Sequence, residues 1–385
     1  MDSQEIIFDH NNKAAVVELR PDERYKPICS HCGELADGIH SNHKRQLLDL
    51  SLAEHRIKID YNYRKVKCSK CNSIAVEELE VCEPGGPRVT RRLATYIKEL
   101  CKHMTVKQVA DNLNLDWKTV KAIDKHVLEK EHGETDYNGL KYIAIDELSY
   151  GKYHKYITIV LDFLTGRIIW IGRDRRSSTL DRFFSKMPED NRKQIEAVAI
   201  DMWDPFIASV KKWCPQAHIV FDLFHIISQY NAVIDAVRRE ETARASIQNK
   251  KIIKGSRYML FKNEENLTVE QIPRLNELIE TNKNISTVYI LKDQLKDVFK
   301  QPSKKDIAKK LNIWCELALE SGLEPLKKFV KTLKRYEHGL LNYADYPIHT
   351  GILEGTNNKL QEIKRRAFGF HDLEYFILKA KQAFP

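Results

Sequence analysis

Two periods of hydrophobicity alternate along the chain. Between residues 91 and 130, Val106, Val109, Ala110, Leu113, Leu115, Trp117, Val120 and Ile123 recur at helical intervals. They predict two short amphipathic helices joined at "LNLD". Thr105 can cap the first and Asp116 the second, since a short oxygen-bearing side chain satisfies the unpaired N–H groups of a helix start. This is a helix-turn-helix pattern. Its second helix, with Lys118, Thr119 and Lys121 near the start, is the one expected to enter a DNA major groove. A helical bundle without a DNA role would show the same periodicity.

From residue 141 the period shortens. "KYIAIDELSYG", "KYITIVLDFLTG" and "RIIWIGRD" are β-rich runs separated by turn residues and predict a three-stranded antiparallel meander. A helical "SSTLDRFFSKM" follows, then an apolar strand in "IEAVAIDMWDPF" that ends at Asp201. A helix ("DPFIASVKKWC"), a strand ("AHIVFDLFH") and a further helix ("IISQYNAVIDAVRREE") complete the series. Three antiparallel strands followed by this alternation resemble a ribonuclease-H-like mixed α/β core. Residues from about 240 to 345 are rich in Lys and Glu and carry no strand signal, so an all-helical insertion is expected there. In "GILEGTNNKLQEIKRRAFGF", residues 351–370, Leu353, Thr356, Leu360, Ile363 and Ala367 predict a buried stripe. Glu354, Asn358, Gln361 and Arg365 fall on one polar face of the same helix.

The first segment follows neither period; it is organised by cysteine. "CSHC" at Cys29 and Cys32 and "CSKC" at Cys68 and Cys71 offer two thiolates each from one tight turn, and two such pairs complete a zinc tetrahedron. His31, His40 and His43 are possible substitutes for a thiolate. The 35 residues between the pairs (68 − 32 − 1) exceed a usual ribbon loop, so an inserted hairpin is expected. Cys82, Cys101, Cys214 and Cys315 have no such partners and read as buried thiols. "CEPGGPRV", residues 82–89, punctuates the chain as a linker. The expected domains are a zinc ribbon (1–84), a helix-turn-helix (88–135), the first part of the mixed core (140–240), the helical insertion (241–345) and a closing core segment (346–385).

Composition narrows the class. Of 385 residues, 42% are hydrophobic and 30% charged, which excludes a disordered chain. No apolar run approaches the ~20 residues needed to span a bilayer, and "MDSQEIIFDHNNK" lacks the pattern of a secretory signal. A cytoplasmic protein without a disulfide framework is expected. The net charge of +9 favours polyanionic partners.

Three acids stand out against this background. Asp146 lies within the first core strand, Asp201 ends the fourth, and Glu354 lies on the later helix. Carboxylates at the edge of an apolar sheet need a cation, a hydrogen bond or a proton. Converging from separate elements, three carboxylates make a site for hard divalent cations. Two such ions support phosphodiester displacement. Trp203 can pack the wall of that site or stack on a displaced base, and Asp222 and His225 can orient a ligand from just outside it.

In combination, "AIDE", "AIDMWDPF", "VFDLFHI" and "LEGTNNKLQEIKRRAFGF" resemble the blocks of the ISL-three family of bacterial insertion-sequence transposases, and the likeness covers nearly the whole chain. The resemblance implies a DDE triad of Asp146, Asp201 and Glu354 holding magnesium or manganese, and Cys29, Cys32, Cys68 and Cys71 as zinc ligands. It also implies metal-dependent DNA cleavage and strand transfer, binding of terminal inverted repeats and target DNA, and an oligomer of at least two chains. Asn357, Asn358, Lys359, Lys364, Arg365 and Arg366 would contact DNA phosphates. The chain stops at "LKAKQAFP", where the family's pattern leads one to expect more residues. Two alternatives follow: a zinc-ribbon and helix-turn-helix regulator whose core does not cut, and a transposase inactive through a shortened C-terminus.

Overall fold

The computed structural model describes residues 2–9, 13–83, 85–151, 155–346 and 351–384. Two compact units emerge, one of Met1–Glu134 with Ile363–Ala383 and one of Thr135–Glu362 with Phe384–Pro385.

The first unit opens with β1 (Asp2–Asp9), β2 (Ala14–Arg20), β3 (Gly38–Leu48), β4 (Arg56–Cys68) and β5 (Ser73–Val76). They form one sheet in the order β1-β2-β4-β3, with β5 added to β4. β3 and β4 pair antiparallel and fill the long stretch between the two cysteine pairs, as the spacing predicts. Alternation along β4 buries Ile57, Ile59 and Tyr61 with Ala15, Leu47 and Cys82. Three helices follow: α1 (Arg91–His103), α2 (Val106–Asn112) and α3 (Trp117–His132). Thr105 caps α2 in a reciprocal box with Gln108, and Asp116 caps α3. Val109, Ala110, Val120 and Ile123 close a core with Leu93, Ile97 and Cys101 of α1. Trp117 departs from the predicted stripe. At the first position of α3 it is 47% exposed, while Val120, three residues on, is buried in the three-helix core. Across the predicted linker, Arg45 donates to the Gly86 carbonyl and Arg92 pairs with the buried carboxylate of Asp49.

The second unit holds β6 (Tyr142–Gly151), β7 (Lys155–Asp162), β8 (Ile168–Arg173), β9 (Ala197–Ile200) and β10 (His218–Phe221) in the order β10-β9-β6-β7-β8. β6, β7 and β8 are the predicted antiparallel meander, while β9 runs parallel to β6 and β10 parallel to β9. All four residues of β9 are buried, as expected of a strand covered on both faces. The covering helices are α4 (Ser177–Lys186), α5 (Glu189–Lys193), α6 (Asp204–Trp213) and α7 (Leu223–Arg244). The predicted insertion is helical: α8 (Ile247–Ile253), α9 (Arg257–Phe261), α10 (Gln271–Thr281), α11 (Lys283–Val298), α12 (Lys304–Glu320), α13 (Glu324–Arg335) and α14 (Glu337–Leu341). Its apolar residues join one core with the sheet, in which Tyr230 of α7 packs edge-on against Trp314 and Phe329.

Two helices end the chain, α15 (Gly351–Arg366) and α16 (Leu373–Ala383). Leu353, Thr356, Leu360 and Ile363 of the predicted stripe are buried. After α15, Phe368 and Gly369 take φ values of 54° and 100°, which turns the chain into α16. Sequence reading did not foresee where α16 goes. It packs on α3, burying Leu128 with Tyr375 and Leu378. At this contact Asp124 is fully buried, accepting from the Tyr375 hydroxyl and lying 3.3 Å from the Lys379 ammonium. Lys379 also donates to the Cys101 carbonyl, and Lys381 donates to the carbonyl of His132. Burial holds the Asp124 carboxyl above the usual range against the pull of Lys379. All four lone cysteines, Cys82, Cys101, Cys214 and Cys315, are buried free thiols. No helix among the described residues is long and apolar enough to cross a membrane.

Removing one partner of a buried ion pair strands the other charge, typically at about 3–5 kcal/mol, whereas replacing both by apolar residues is often neutral. Lys379→Met is therefore expected to lower the unfolding free energy of the first unit, read from its urea transition, by an amount in that range, and Asp124→Leu combined with Lys379→Met to recover most of it. Equal midpoints for the wild type and the single variant would contradict this role.

Candidate active site

The register of the second sheet lines up its acids. β6 and β9 pair with an offset of 55 residues (Tyr142 opposite Ala197), the same offset that separates Asp146 from Asp201. β9 and β10 pair with an offset of 21 (Ala197 opposite His218), which separates Asp201 from Asp222. The three aspartates thus occupy one row across three adjacent parallel strands, at the carboxyl ends of β9 and β10. Open sheets of this kind gather their ligands at that edge.

Two of the row's aspartates meet a histidine from α7: ligand atoms of Asp146, Asp201 and His225 lie within 4.8 Å of one another. His225, on the first turn of α7, brings Nε2 to 2.9 Å from Asp201 Oδ1 and 3.6 Å from Asp222 Oδ2. Asp146 accepts from the backbone N–H of Glu147 at 2.7 Å and from the side-chain amide of Asn357 at 2.5 Å. Asp222 caps α7 by accepting from the Phe224 N–H.

Electrostatics follow from this crowding. Burial, then the charge of Asp201, holds the Asp146 carboxyl above its ordinary range. Burial pushes Asp222 up to about 6 despite the neighbouring imidazole. For His225, burial opposes protonation, but the hydrogen bond and charge of Asp201, with Asp222 and Asp146 behind them, outweigh it and raise the ring to about 9. His225 is therefore a cation at neutral pH, held against a cluster rich in negative charge.

Glu354 stands outside this group. It is exposed on α15, three residues before Asn357, whose amide touches Asp146. The predicted meeting of three acids is thus occupied in the structure by Asp146, Asp201 and His225, with α15 represented by Asn357.

A second cluster lies in the first unit. Sγ atoms of Cys29, Cys32, Cys68 and Cys71 gather within 4.8 Å, with Cys29 and Cys71 3.8 Å apart and Cys32 and Cys68 3.5 Å apart. Thiolates around tetrahedral zinc, at about 2.3 Å each, stand ~3.8 Å from one another. The donor set and its spacing fit zinc. The proposed histidine substitutes are elsewhere: His31 meets Ser73, His40 meets Ser41, and His43 stacks on Tyr63.

Both clusters lie in segments that match known protein families. Residues 143–380 match a transposase family model, residues 86–128 the helix-turn-helix domain of transposase family ISL3, and residues 26–71 the zinc-finger of the transposases of IS204, IS1001, IS1096 and IS1165. The chain belongs to the ISL3 transposase family. It is 37% identical to the transposase for insertion sequence element IS1001 of Bordetella parapertussis, over 93% of this chain and 89% of that protein. It is 28% identical to the transposase for insertion sequence element IS1557 of Mycobacterium tuberculosis, over 71% of this chain and 66% of that one. Membership in a transposase family implies DNA binding, DNA cutting and a divalent metal in the catalytic domain.

Seen as part of a transposase, the predicted DNA-binding residues divide. Lys118 and Thr119 are exposed at the start of α3, their backbone N–H groups held by Asp116. Lys121 is instead paired with Asp372 at 3.0 Å and lies over the Tyr375 ring. Asn358, Arg365 and Arg366 are exposed, Lys364 is half-buried, and Lys359 lies 4.5 Å from the Phe384 ring centroid. Asn357 is spent on Asp146. Sequence reasoning missed that contact across 211 residues, although the i,i+3 spacing from Glu354 put both residues on one helix face. It also missed Glu147 and Arg175, which pair at 3.6 Å beside the cluster.

Elemental analysis of the purified chain is expected to find one tightly held zinc per chain. Cys29→Ser or Cys68→Ser should reduce that content sharply, while Cys101→Ser and Cys214→Ser should leave it intact. Full zinc retention in Cys68→Ser would rule out the four-thiolate site.

Proposed function

We propose that this transposase recognises the terminal inverted repeats of an insertion sequence and cleaves and joins DNA through Asp146, Asp201 and Glu354. The observation that carries the reading is the shared row of aspartates, where two carboxylates and an imidazole converge at the ligand-binding edge of the sheet. The strand order β10-β9-β6-β7-β8, an antiparallel meander extended by two parallel strands, supports a ribonuclease-H-like core.

Asp146, Asp201 and Glu354 would hold magnesium or manganese, as two ions. When bound, such ions activate water or a 3′-hydroxyl and offset charge on the leaving oxygen. The chain's own residues prepare that place. Asn357 and the Glu147 N–H fix both oxygens of Asp146, which sets the carboxylate's orientation before DNA arrives. His225 offsets the charge of Asp201 and Asp222, so the row tolerates two neighbouring acids. Asp222 orients His225 and anchors the start of α7. Glu354 shares its helix with Asn357, one turn away, and that shared helix is what supports its inclusion with the acids. Lys118 and Thr119 of α3, with the zinc ribbon, would read the repeats, and the basic residues of α15 would hold phosphates in a salt-dependent manner. Pairing of two element ends requires at least a dimer.

Cleavage of DNA carrying the element's own ends, with magnesium or manganese, tests this reading. Asp146→Asn, Asp201→Asn and Glu354→Gln are each expected to lose well over about a hundredfold in rate with end binding retained. Asn357→Ala should lose about 10–100-fold, the usual worth of a residue that orients a ligand-bearing group. A wild-type chain that never nicks such DNA would refute the enzyme, and undiminished cleavage by Glu354→Gln would refute the triad.

A further inference from the structure

Beside the acids lies a cavity of about 580 Å³, walled by Tyr156, Arg175, Arg176, Ser177, Ser178 and Trp203. Its size falls in the range of pockets that hold a small molecule or a single nucleotide-sized group. The Arg175 guanidinium stands 4.5 Å from the Tyr156 ring centroid and 5.5 Å from that of Trp203, so it lies against both aromatic faces. The same guanidinium reaches Glu147, the residue after Asp146. Trp203 follows Asp201 by two residues and is 41% exposed, although an indole is among the most apolar surfaces a protein can bury. Asp174, the one acid in the wall, is half-buried, and its Oδ1 accepts from the Thr179 hydroxyl and the Arg176 N–H. The wall is thus aromatic and hydroxylic, with two arginines against one aspartate, and it begins next to the acids.

We propose that this cavity takes one unpaired nucleotide of the DNA strand, adjacent to the scissile phosphodiester. The base lies against Trp203 and the Arg175 plane, and the backbone phosphate lies toward Arg176, Ser177 and Ser178. A base inside a duplex has both faces covered by its neighbours, so only one lifted out of the stack can use such a wall. Every base offers a π-face, so the site tolerates any sequence, and the guanidinium adds cation–π attraction. Holding that nucleotide would fix the neighbouring phosphodiester over Asp146 and Asp201. The proposal rests on the DNA-cleaving reading above, and its test does not require cleavage.

The full-length chain is titrated, without divalent metal, with two fluorescein-labelled duplexes carrying the element's end. One is fully paired and the other bears three unpaired thymidines at the cleavage point. The wild type should bind the overhang duplex about tenfold more tightly, within the range that base–aromatic stacking supplies. Trp203→Ala and Arg175→Ala should bring that ratio close to one, and Trp203→Phe, which keeps a stacking face, should restore most of it. A 2-aminopurine in the overhang should be quenched by the wild type and not by Trp203→Ala. A wild-type ratio of one, or a preference that survives Trp203→Ala, overturns the proposal even if the triad cleaves as expected. Conversely, a Trp203-dependent preference in a chain that never cleaves supports the nucleotide site and removes the transposase mechanism.

Discussion

Carboxylates lined up at the edge of an apolar sheet repel one another, and burial raises the cost of keeping each charged. Most of the second unit can be understood as an answer to that constraint. Short buried strands of Ala, Val and Ile hold Asp146, Asp201 and Asp222 in one row. The residues around the row then supply compensation: His225 from α7 as a cation, and Asn357 from α15 and the Glu147 N–H as donors. Such an arrangement stabilises the fold poorly, since well-packed apolar residues would do better. It is well suited to hold divalent metal at the place where an open sheet presents its ligands.

The first unit meets a related problem differently. A sheet of five strands and three short helices offers little continuous core, and its three main apolar clusters are small. Four thiols drawn together by two turns, the Asp49–Arg92 pair and the buried Asp124–Lys379–Tyr375 group tie these pieces to one another. Helix α3 of the helix-turn-helix is consequently packed against α16, and Asp372, just ahead of α16, pairs with Lys121 and Lys125. A DNA-reading module limited to residues 86–128 would omit the partner of its own buried carboxylate.

Local signals were readable in the sequence, and long-range ones were not. The cysteine pairs, the caps at Thr105 and Asp116, the antiparallel meander and the buried stripe of α15 depend on residues a few positions apart, where periodicity and turn chemistry speak directly. The positions of Asp146 within a strand and of Asp201 at the end of another were legible for the same reason, and their level alignment follows from strand register. Contacts that span more than two hundred residues, such as Asn357 with Asp146 and Lys379 with Asp124, leave no spacing to read. Trp117 was drawn into a core stripe because period alone cannot tell the last buried position from the first exposed one. Arg175 and Tyr156 carried no signal, since their role exists only where a turn brings a cation between two rings.

Acids from β6, from the end of β9 and from α15 are proposed to share one divalent-metal site. Ferrous iron bound in place of magnesium, and activated with ascorbate and peroxide, cuts the backbone next to itself, and mass spectrometry maps the cuts. Fragmentation is expected at three places, around Asp146, Asp201 and Glu354, suppressed by excess magnesium and lost in Asp201→Asn. Cuts confined to other segments, or a pattern unchanged in Asp201→Asn, would contradict a shared site.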